Sequence, residues 1–129
     1  MGKRIGIGAE GILHKDFARL IKQYQGYKQL NCLPWSYNAA GEKRSITTAS
    51  LLKAKGLQKG HPDYYFYGKD DNNYVKVVFI EFKYGKNKQT EEQKEFQDSF
   101  KGVINAFYYV AYSVEEAINI LKKHNLIKQ

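Results

Sequence analysis

The chain has 129 residues, 43% of them hydrophobic, and a formal net charge of +8. This length favours a single domain over residues 1–129, and the apolar content is enough for a packed core, which excludes a disordered tail. No apolar run approaches the roughly 20 residues of a membrane helix, and the N-terminus lacks the apolar stretch of a secretory signal. We therefore expect a cytoplasmic protein with no membrane partner, and the basic charge favours an anionic partner such as nucleic acid.

The chain contains one cysteine, Cys32. A lone cysteine excludes an internal disulfide and a cysteine-based zinc site. Because no Ser-His-Asp motif accompanies it, we interpret Cys32 as a small, partly buried residue in a reducing compartment rather than a nucleophile.

The first half of the chain predicts a helix, a strand and a second helix. Apolar residues recur at helical spacing over residues 10–24, and a glycine lies just past that helix. Residues 30–37 predict a short strand, in which Pro34 favours an edge position. A polar, basic loop over residues 38–45 follows, and then a helix over residues 48–55 with a glycine at its end.

The second half predicts a hairpin, a helix, a strand and a last helix. The turn at residues 60–63 leads into strand 64–67, and the long strand 74–84 is apolar on both faces, which is typical of a central strand. The remaining predicted elements are the hairpin loop 68–73, a helix from the capping box at Thr90 to about Phe100, a strand over 106–112, and a helix from the capping box at Ser113 to about His124. The order is αβαββαβα.

Two acidic residues lie where a charge is costly. Glu81 belongs to the most apolar strand, and alternation places Lys83 on the same face. Uncompensated burial of a carboxylate costs several kcal/mol, so Glu81 needs a partner or a metal. The hairpin brings Asp63 close to the Glu81 end of the neighbouring strand. Two carboxylates beside an ammonium suit a hard cation such as Mg²⁺, which would polarise a phosphate, although a structural ion-pair cluster is the alternative.

These residues carry a family resemblance. Pro62-Asp63 followed by Glu81-Phe82-Lys83 forms the pattern Pro-Asp…Glu-x-Lys, which resembles the PD-(D/E)XK nuclease superfamily. Other segments resemble those of its VRR-NUC family, namely residues 52–63, 79–83, 90–96 and 113–117 and the basic segment 38–44. The likeness extends over residues 10–124. It implies an α/β fold of the restriction-endonuclease-like type, with a mixed β-sheet flanked by helices.

The resemblance also implies a metal site and a catalytic lysine. Asp63, Glu81 and the backbone carbonyl of Phe82 would bind Mg²⁺ or Mn²⁺, and Lys83 would be the catalytic lysine. Lys83 would orient or deprotonate the attacking water, or stabilise the developing negative charge.

Two further site residues follow from the resemblance. Gln93 matches the family's helical glutamine, and it also has a plain explanation as the second residue of its capping box. The family has a glutamate on its first helix, a position that Glu10 fits best as a possible metal ligand. His14 and Asp16 are the nearby alternatives.

The implied activity is that of a metal-dependent DNA endonuclease. Small stand-alone members resemble phage-encoded enzymes that act as homodimers on branched DNA such as Holliday junctions, in which case the protein would work in the host cytoplasm. The candidate DNA contacts are Lys43, Arg44, Asn38, Lys86, Lys88 and His61. The lysines and Arg44 could equally form an ordinary solvated face, and His61 could simply fill a turn. The alternatives in function are a non-catalytic DNA-binding module and a structural subunit of a DNA-processing complex.

Overall fold

The computed structural model describes residues 8–32, 34–38 and 46–128. The elements follow the predicted order αβαββαβα, and they are α1 (Ala9–Gly26), β1 (Trp35–Tyr37), α2 (Ile46–Ala54), β2 (Tyr64–Lys69), β3 (Val75–Phe82), α3 (Glu91–Ser99), β4 (Ala106–Ala111) and α4 (Val114–Lys123). Together they form a mixed four-stranded sheet flanked by helices. This confirms the predicted α/β class and is consistent with a restriction-endonuclease-like fold.

The strands lie in the order β1-β2-β3-β4. β1 and β3 both pair antiparallel with β2, and β4 pairs parallel with β3. β3 is therefore central, as its apolar pattern predicts, and β1 lies at an edge. The β2–β3 register pairs Tyr64 with Ile80. One further step along the same ladder places Asp63 opposite Glu81.

One face of the sheet carries the main core beneath α1 and α4. The ring of Phe17 on α1 lies 5.0 Å from Tyr64, 5.9 Å from Phe66 and 5.1 Å from Phe82, measured between centroids. α4 adds the buried residues Ala117, Ile118 and Leu121 to the same cluster. Tyr64 and Phe66 are thus core residues.

α3 covers the opposite face. The Phe79 ring of β3 lies 5.1 Å from Phe96 and 4.9 Å from Phe100. Both faces of β3 are therefore packed, which explains why its sequence is apolar at odd and even positions alike. Among the helices of the described ranges, none combines the length and the apolar character needed to cross a bilayer.

The strand predicted over residues 30–37 is too long. β1 covers only Trp35–Tyr37, and Leu30 forms an isolated bridge to Ile127 instead. Pro34 has no N–H to donate to a ladder, so the strand begins after it.

The hairpin turn is shorter than the sequence predicts, because β2 continues to Lys69. Asp70 holds the turn that follows, since its side chain accepts the N–H groups of Asn72 at 2.9 Å and Tyr74 at 2.8 Å. β3 is correspondingly shorter than the predicted strand 74–84 and ends at Phe82.

The turn before Asp63 packs directly on the start of α3. Gly60 has a φ of +84°, and a Cβ added there would lie 2.5 Å from the carbonyl carbon of Glu92. A side chain at this position would therefore push α3 away from the turn.

We expect Gly60→Ala to destabilise the protein more than Gly56→Ala. Gly56 also has a positive φ, +101°, but an added Cβ would meet nothing within 4 Å. Gly56→Ala should cost only the backbone term of about 1–2 kcal/mol, and Gly60→Ala about 1–3 kcal/mol more from the clash. Urea unfolding of both variants measures the difference, and equal losses would show that the turn does not press on α3.

Candidate functional site

The site is built around two carboxylates that the hairpin places side by side. Asp63 immediately precedes β2, and Glu81 lies near the end of β3. The side chains are buried, since Asp63 is 8% exposed and Glu81 is 2% exposed. The N–H of Phe82 donates to Asp63 Oδ2 at 2.8 Å, and the N–H of Asn38 donates to the Asp63 carbonyl at 2.7 Å. These bonds fix the Asp63 backbone and carboxylate against β3.

The two carboxylates disturb each other's ionisation. Burial, together with the neighbouring charges of Asp63 and Glu10, raises the pKa of Glu81 to about 9, against the opposing effect of Lys83. Burial also raises the pKa of Asp63, while His14, the Phe82 N–H and Lys83 lower it. A proton held by Glu81 therefore bonds to Asp63, because two adjacent buried anions repel each other.

One oxygen of this pair has no donor. Glu81 Oε1 is buried and has no hydrogen-bond partner within the ranges that the structure covers. A buried oxygen without a donor costs about 1–3 kcal/mol, and more if it is charged. The arrangement therefore suits a cation that would bind this oxygen.

α1 adds two more candidate ligands. Glu10 and His14 are one helical turn apart and lie on the same face. His14 Nε2 is 3.6 Å from Asp63 Oδ2. Glu10, His14 and Asp63 each offer one ligand atom, and these three atoms lie within 4.8 Å of one another. The structure thus brings both Glu10 and His14 to the carboxylates.

Asp16, the third alternative on α1, lies elsewhere. Its carboxylate contacts Arg19 Nη2 at 3.3 Å in an exposed pair on the helix surface. The side chains of Asp16 and Arg19 therefore complete a local interaction, and Asp16 is not among the groups that meet Asp63.

Lys83 follows β3 directly and lies beside the carboxylates. It is 9% exposed, and its N–H donates to the Ala111 carbonyl at 3.0 Å. Its ammonium is close enough to lower the pKa of both Asp63 and Glu81. The structure therefore places a buried cationic side chain next to the acidic pair.

The site lies at one end of the sheet, between the face covered by α1 and the face covered by α3. Glu81 shares a face with Phe79, on the α3 side, whereas the ring of His14 packs on Phe82 with centroids 5.2 Å apart, on the α1 side. Asp63, just before its strand begins, contacts His14 of α1 and Glu81 of β3. The side chain of Phe82 is fully buried, and the role of its carbonyl stays a prediction.

Gln93 forms the predicted capping box. Its Oε1 accepts the N–H of Thr90 at 2.8 Å, and its own N–H donates to the Thr90 hydroxyl at 3.2 Å. The structural explanation of Gln93 is therefore confirmed, and a catalytic role stays a prediction. Ser113 likewise caps α4, because its hydroxyl accepts the N–H of Glu116 at 3.1 Å.

The candidate DNA contacts fall into three groups. Lys86 and Lys88 are exposed on the loop that leaves β3 next to the acidic pair. His61 is half-buried, with Nδ1 2.8 Å from the Tyr65 hydroxyl and its ring 4.9 Å from that of Phe96, so it fills the turn. Asn38 anchors Asp63 as described above, and its side chain bonds the Tyr65 hydroxyl. Lys43 and Arg44 lie outside the described residues.

Sequence reasoning left two neighbours of the site aside. Tyr108 on β4 lies close enough to Glu81 for that charge to raise the pKa of its phenol, in addition to burial. Tyr64 contacts His14, with their rings stacked 5.5 Å apart. Tyr64 follows Asp63 in the chain, and Tyr108 lies on the strand that pairs with β3, so only the parallel pairing reveals the second contact.

Cys32 is half-buried, and burial raises the pKa of its thiol to about 11. A thiol with such a pKa is almost fully protonated at neutral pH, which makes it a poor nucleophile.

Comparisons with protein-family models, curated proteins and solved structures found no match to this chain.

We expect the metal-free protein to lose stability as the pH rises from about 4.5 to about 9. Over this range the folded state keeps a proton on Glu81 that the unfolded chain, with its ordinary pKa of 4.5, releases. Glu81→Gln removes this proton uptake, so the variant should exceed the wild type at pH 8 by at least about 1 kcal/mol.

Urea unfolding with a chelator present, repeated across this pH range, measures the effect. Glu95→Gln, which changes an exposed glutamate on α3, is the matched control and should follow the wild type. Parallel pH profiles for the wild type and Glu81→Gln would contradict the raised pKa.

Proposed function

We propose that the protein is a metal-dependent nuclease that hydrolyses phosphodiester bonds in DNA, of the VRR-NUC type. The observation that supports this most strongly is the buried Asp63–Glu81 pair, in which Glu81 Oε1 has no donor within the described ranges. A buried acidic pair is costly because its charges lose their hydration, unless a cation or a proton compensates it.

The side chains present fit a divalent cation. Asp63, Glu81, Glu10 and His14 would hold Mg²⁺ or Mn²⁺ between them. Such a cation, when bound, polarises a phosphate oxygen and lowers the pKa of a coordinated water. The chain would then no longer need a proton on Glu81.

Lys83 would stabilise the negative charge that develops on the phosphate during the reaction. Lys83 is largely buried, and a cation in a site from which water is excluded stabilises developing charge more strongly than an exposed one. Its proximity to Asp63 and Glu81 supports this role, because a phosphate bound to the same cation would lie near it. In this role it would also orient the attacking water.

The exposed lysines beside the site would hold the rest of the DNA. Lys86 and Lys88 lie on the loop that continues from Lys83 into α3, and phosphate contacts from such side chains supply most of the sequence-independent affinity. Selectivity for branched DNA and action as a homodimer are further parts of the proposal, and they rest on the family resemblance.

A non-catalytic DNA-binding module is the second candidate, and the basic charge favours it equally. DNA binding alone does not require two buried carboxylates, one of which has an oxygen without a hydrogen-bond partner in the part of the chain that the structure describes. A structural subunit would tolerate them only as an ion-pair cluster, in which every oxygen would find a donor.

We expect the protein to cut DNA with Mn²⁺ or Mg²⁺ and to lose at least about 100-fold in rate in the Glu81→Gln and Lys83→Met variants. Single-turnover cleavage of labelled linear duplex and four-way junction DNA measures this, with a chelator as the blank. Lys69→Met, which changes an exposed lysine at the far end of β2, should retain the wild-type rate.

Cleavage that survives Glu81→Gln would sink the nuclease proposal for this site, and binding without cleavage would favour the DNA-binding module. Light scattering on the same samples gives the number of chains. Two chains on a junction are expected for paired cuts, whereas a single chain would remove the junction-resolving version and leave simple cleavage standing.

We expect the double variant Lys86→Gln/Lys88→Gln to weaken DNA binding and to reduce its salt dependence. Loss of two phosphate contacts should lower the slope of log binding constant against log salt concentration by about 2. Fluorescence anisotropy in chelator measures it. The matched control is Lys69→Gln/Lys101→Gln, two exposed lysines at the opposite end of the sheet. The same slope in the wild type and both double variants would contradict phosphate contacts by Lys86 and Lys88.

A further inference from the structure

His14 on α1 bears on which cation the site binds. This inference rests on the metal site of the proposed function. We infer that His14 binds the cation directly through Nε2 and that this nitrogen makes the site prefer Mn²⁺ to Mg²⁺. The observations are the hydrogen bonds on the other side of the ring, the atoms that Nε2 faces, and the chemistry of the combined ligands.

Tyr64 contacts one of the two ring nitrogens of His14. The Tyr64 hydroxyl has one proton, which it donates to the His14 carbonyl at 3.3 Å. The same hydroxyl oxygen lies 3.3 Å from His14 Nδ1. The Tyr64 hydroxyl therefore occupies the Nδ1 side of the ring, and Nε2 is the nitrogen that faces the carboxylates. With a cation on Nε2, the N–H of Nδ1 would donate to the Tyr64 hydroxyl.

The second ring nitrogen faces carboxylates. Nε2 is 3.6 Å from Asp63 Oδ2, and His14 and Asp63 each offer one ligand atom to a group that Glu10 completes, with these atoms within 4.8 Å of one another. Glu81, with its buried and unpartnered Oε1, feels the charges of Asp63 and Glu10. These side chains are all of types that bind metal ions, and a cation among them would bind them together.

The ring is held in this orientation before any cation arrives. Its centroid lies 5.5 Å from that of Tyr37, 5.5 Å from Tyr64 and 5.2 Å from Phe82. Metal-binding histidines typically donate their second N–H to a fixed partner, which sets the tautomer and the direction of the ligand nitrogen. The buried Tyr64 hydroxyl supplies that partner here.

A nitrogen ligand among carboxylates discriminates between the two candidate ions. Mg²⁺ takes oxygen ligands and releases its waters reluctantly. Imidazole suits the transition metals, and among these Mn²⁺ also accepts a set of carboxylates. His14 therefore adds to the binding of Mn²⁺ and contributes little to that of Mg²⁺.

Pulsed EPR of the full chain loaded with Mn²⁺ tests this directly. We expect the hyperfine coupling of one directly bound imidazole nitrogen in the wild type and its loss in His14→Gln. The chain has three histidines, and His61→Gln, which removes the one near the Asp63 turn, is the matched control and should retain the coupling. Calorimetric titration should show Mn²⁺ affinity falling roughly 10-fold or more in His14→Gln, with Mg²⁺ affinity changed less than about 3-fold.

The wild-type spectrum decides the question even if His14→Gln fails to fold. Bound Mn²⁺ without nitrogen coupling would overturn the inference, as would a coupling that survives His14→Gln and disappears in His61→Gln. Nitrogen coupling in a protein that cuts no DNA would uphold the inference and overturn the nuclease proposal. Cleavage with bound Mn²⁺ but without nitrogen coupling would overturn the inference about His14 and leave the nuclease proposal standing.

Discussion

The repulsion between Asp63 and Glu81 is the constraint to which the rest of the site responds. The β2–β3 register sets these carboxylates opposite each other, and burial denies them the water that would otherwise screen them. The surrounding groups reduce this cost without removing it. Lys83 and His14 lower the pKa of Asp63, and the Phe82 N–H donates to Asp63 Oδ2. The pKa of Glu81 is raised, so that Glu81 holds a proton. Buried ionisable groups with strongly shifted pKa values cluster at functional sites more often than in purely structural cores.

The placement of the pair at the end of the sheet determines what can reach it. The α1 layer presents Glu10 and His14, and the α3 layer adjoins the turn through Gly60, where the contact with Glu92 leaves no room for a side chain. The capping box fixes the start of α3 at the same place. The site is therefore enclosed from two sides, while the loop with Lys86 and Lys88 is exposed beside it.

Much of this could be predicted from the sequence, because local patterns decide it. The element order, the central position of β3 and the capping box all follow from periodicity and cap residues. The convergence of Asp63 and Glu81 follows from a single hairpin. The meeting of His14 with these carboxylates could not be derived, because the docking angle of α1 depends on the aromatic packing of Phe17 across the sheet. The overlong strand over residues 30–37 reflects the same limit, since apolar pattern alone does not show that Leu30 pairs with Ile127.

The candidate metal ligands of the proposed site come from two distant parts of the chain. Asp63 and Glu81 belong to one hairpin, a unit of the kind that forms within about 1–10 μs. Glu10 and His14 reach them only when α1 docks, a contact between distant parts of the chain, and such contacts form more slowly. A cation held by both sets would act as a folding ligand, binding α1 to the sheet and shifting the equilibrium toward the docked state.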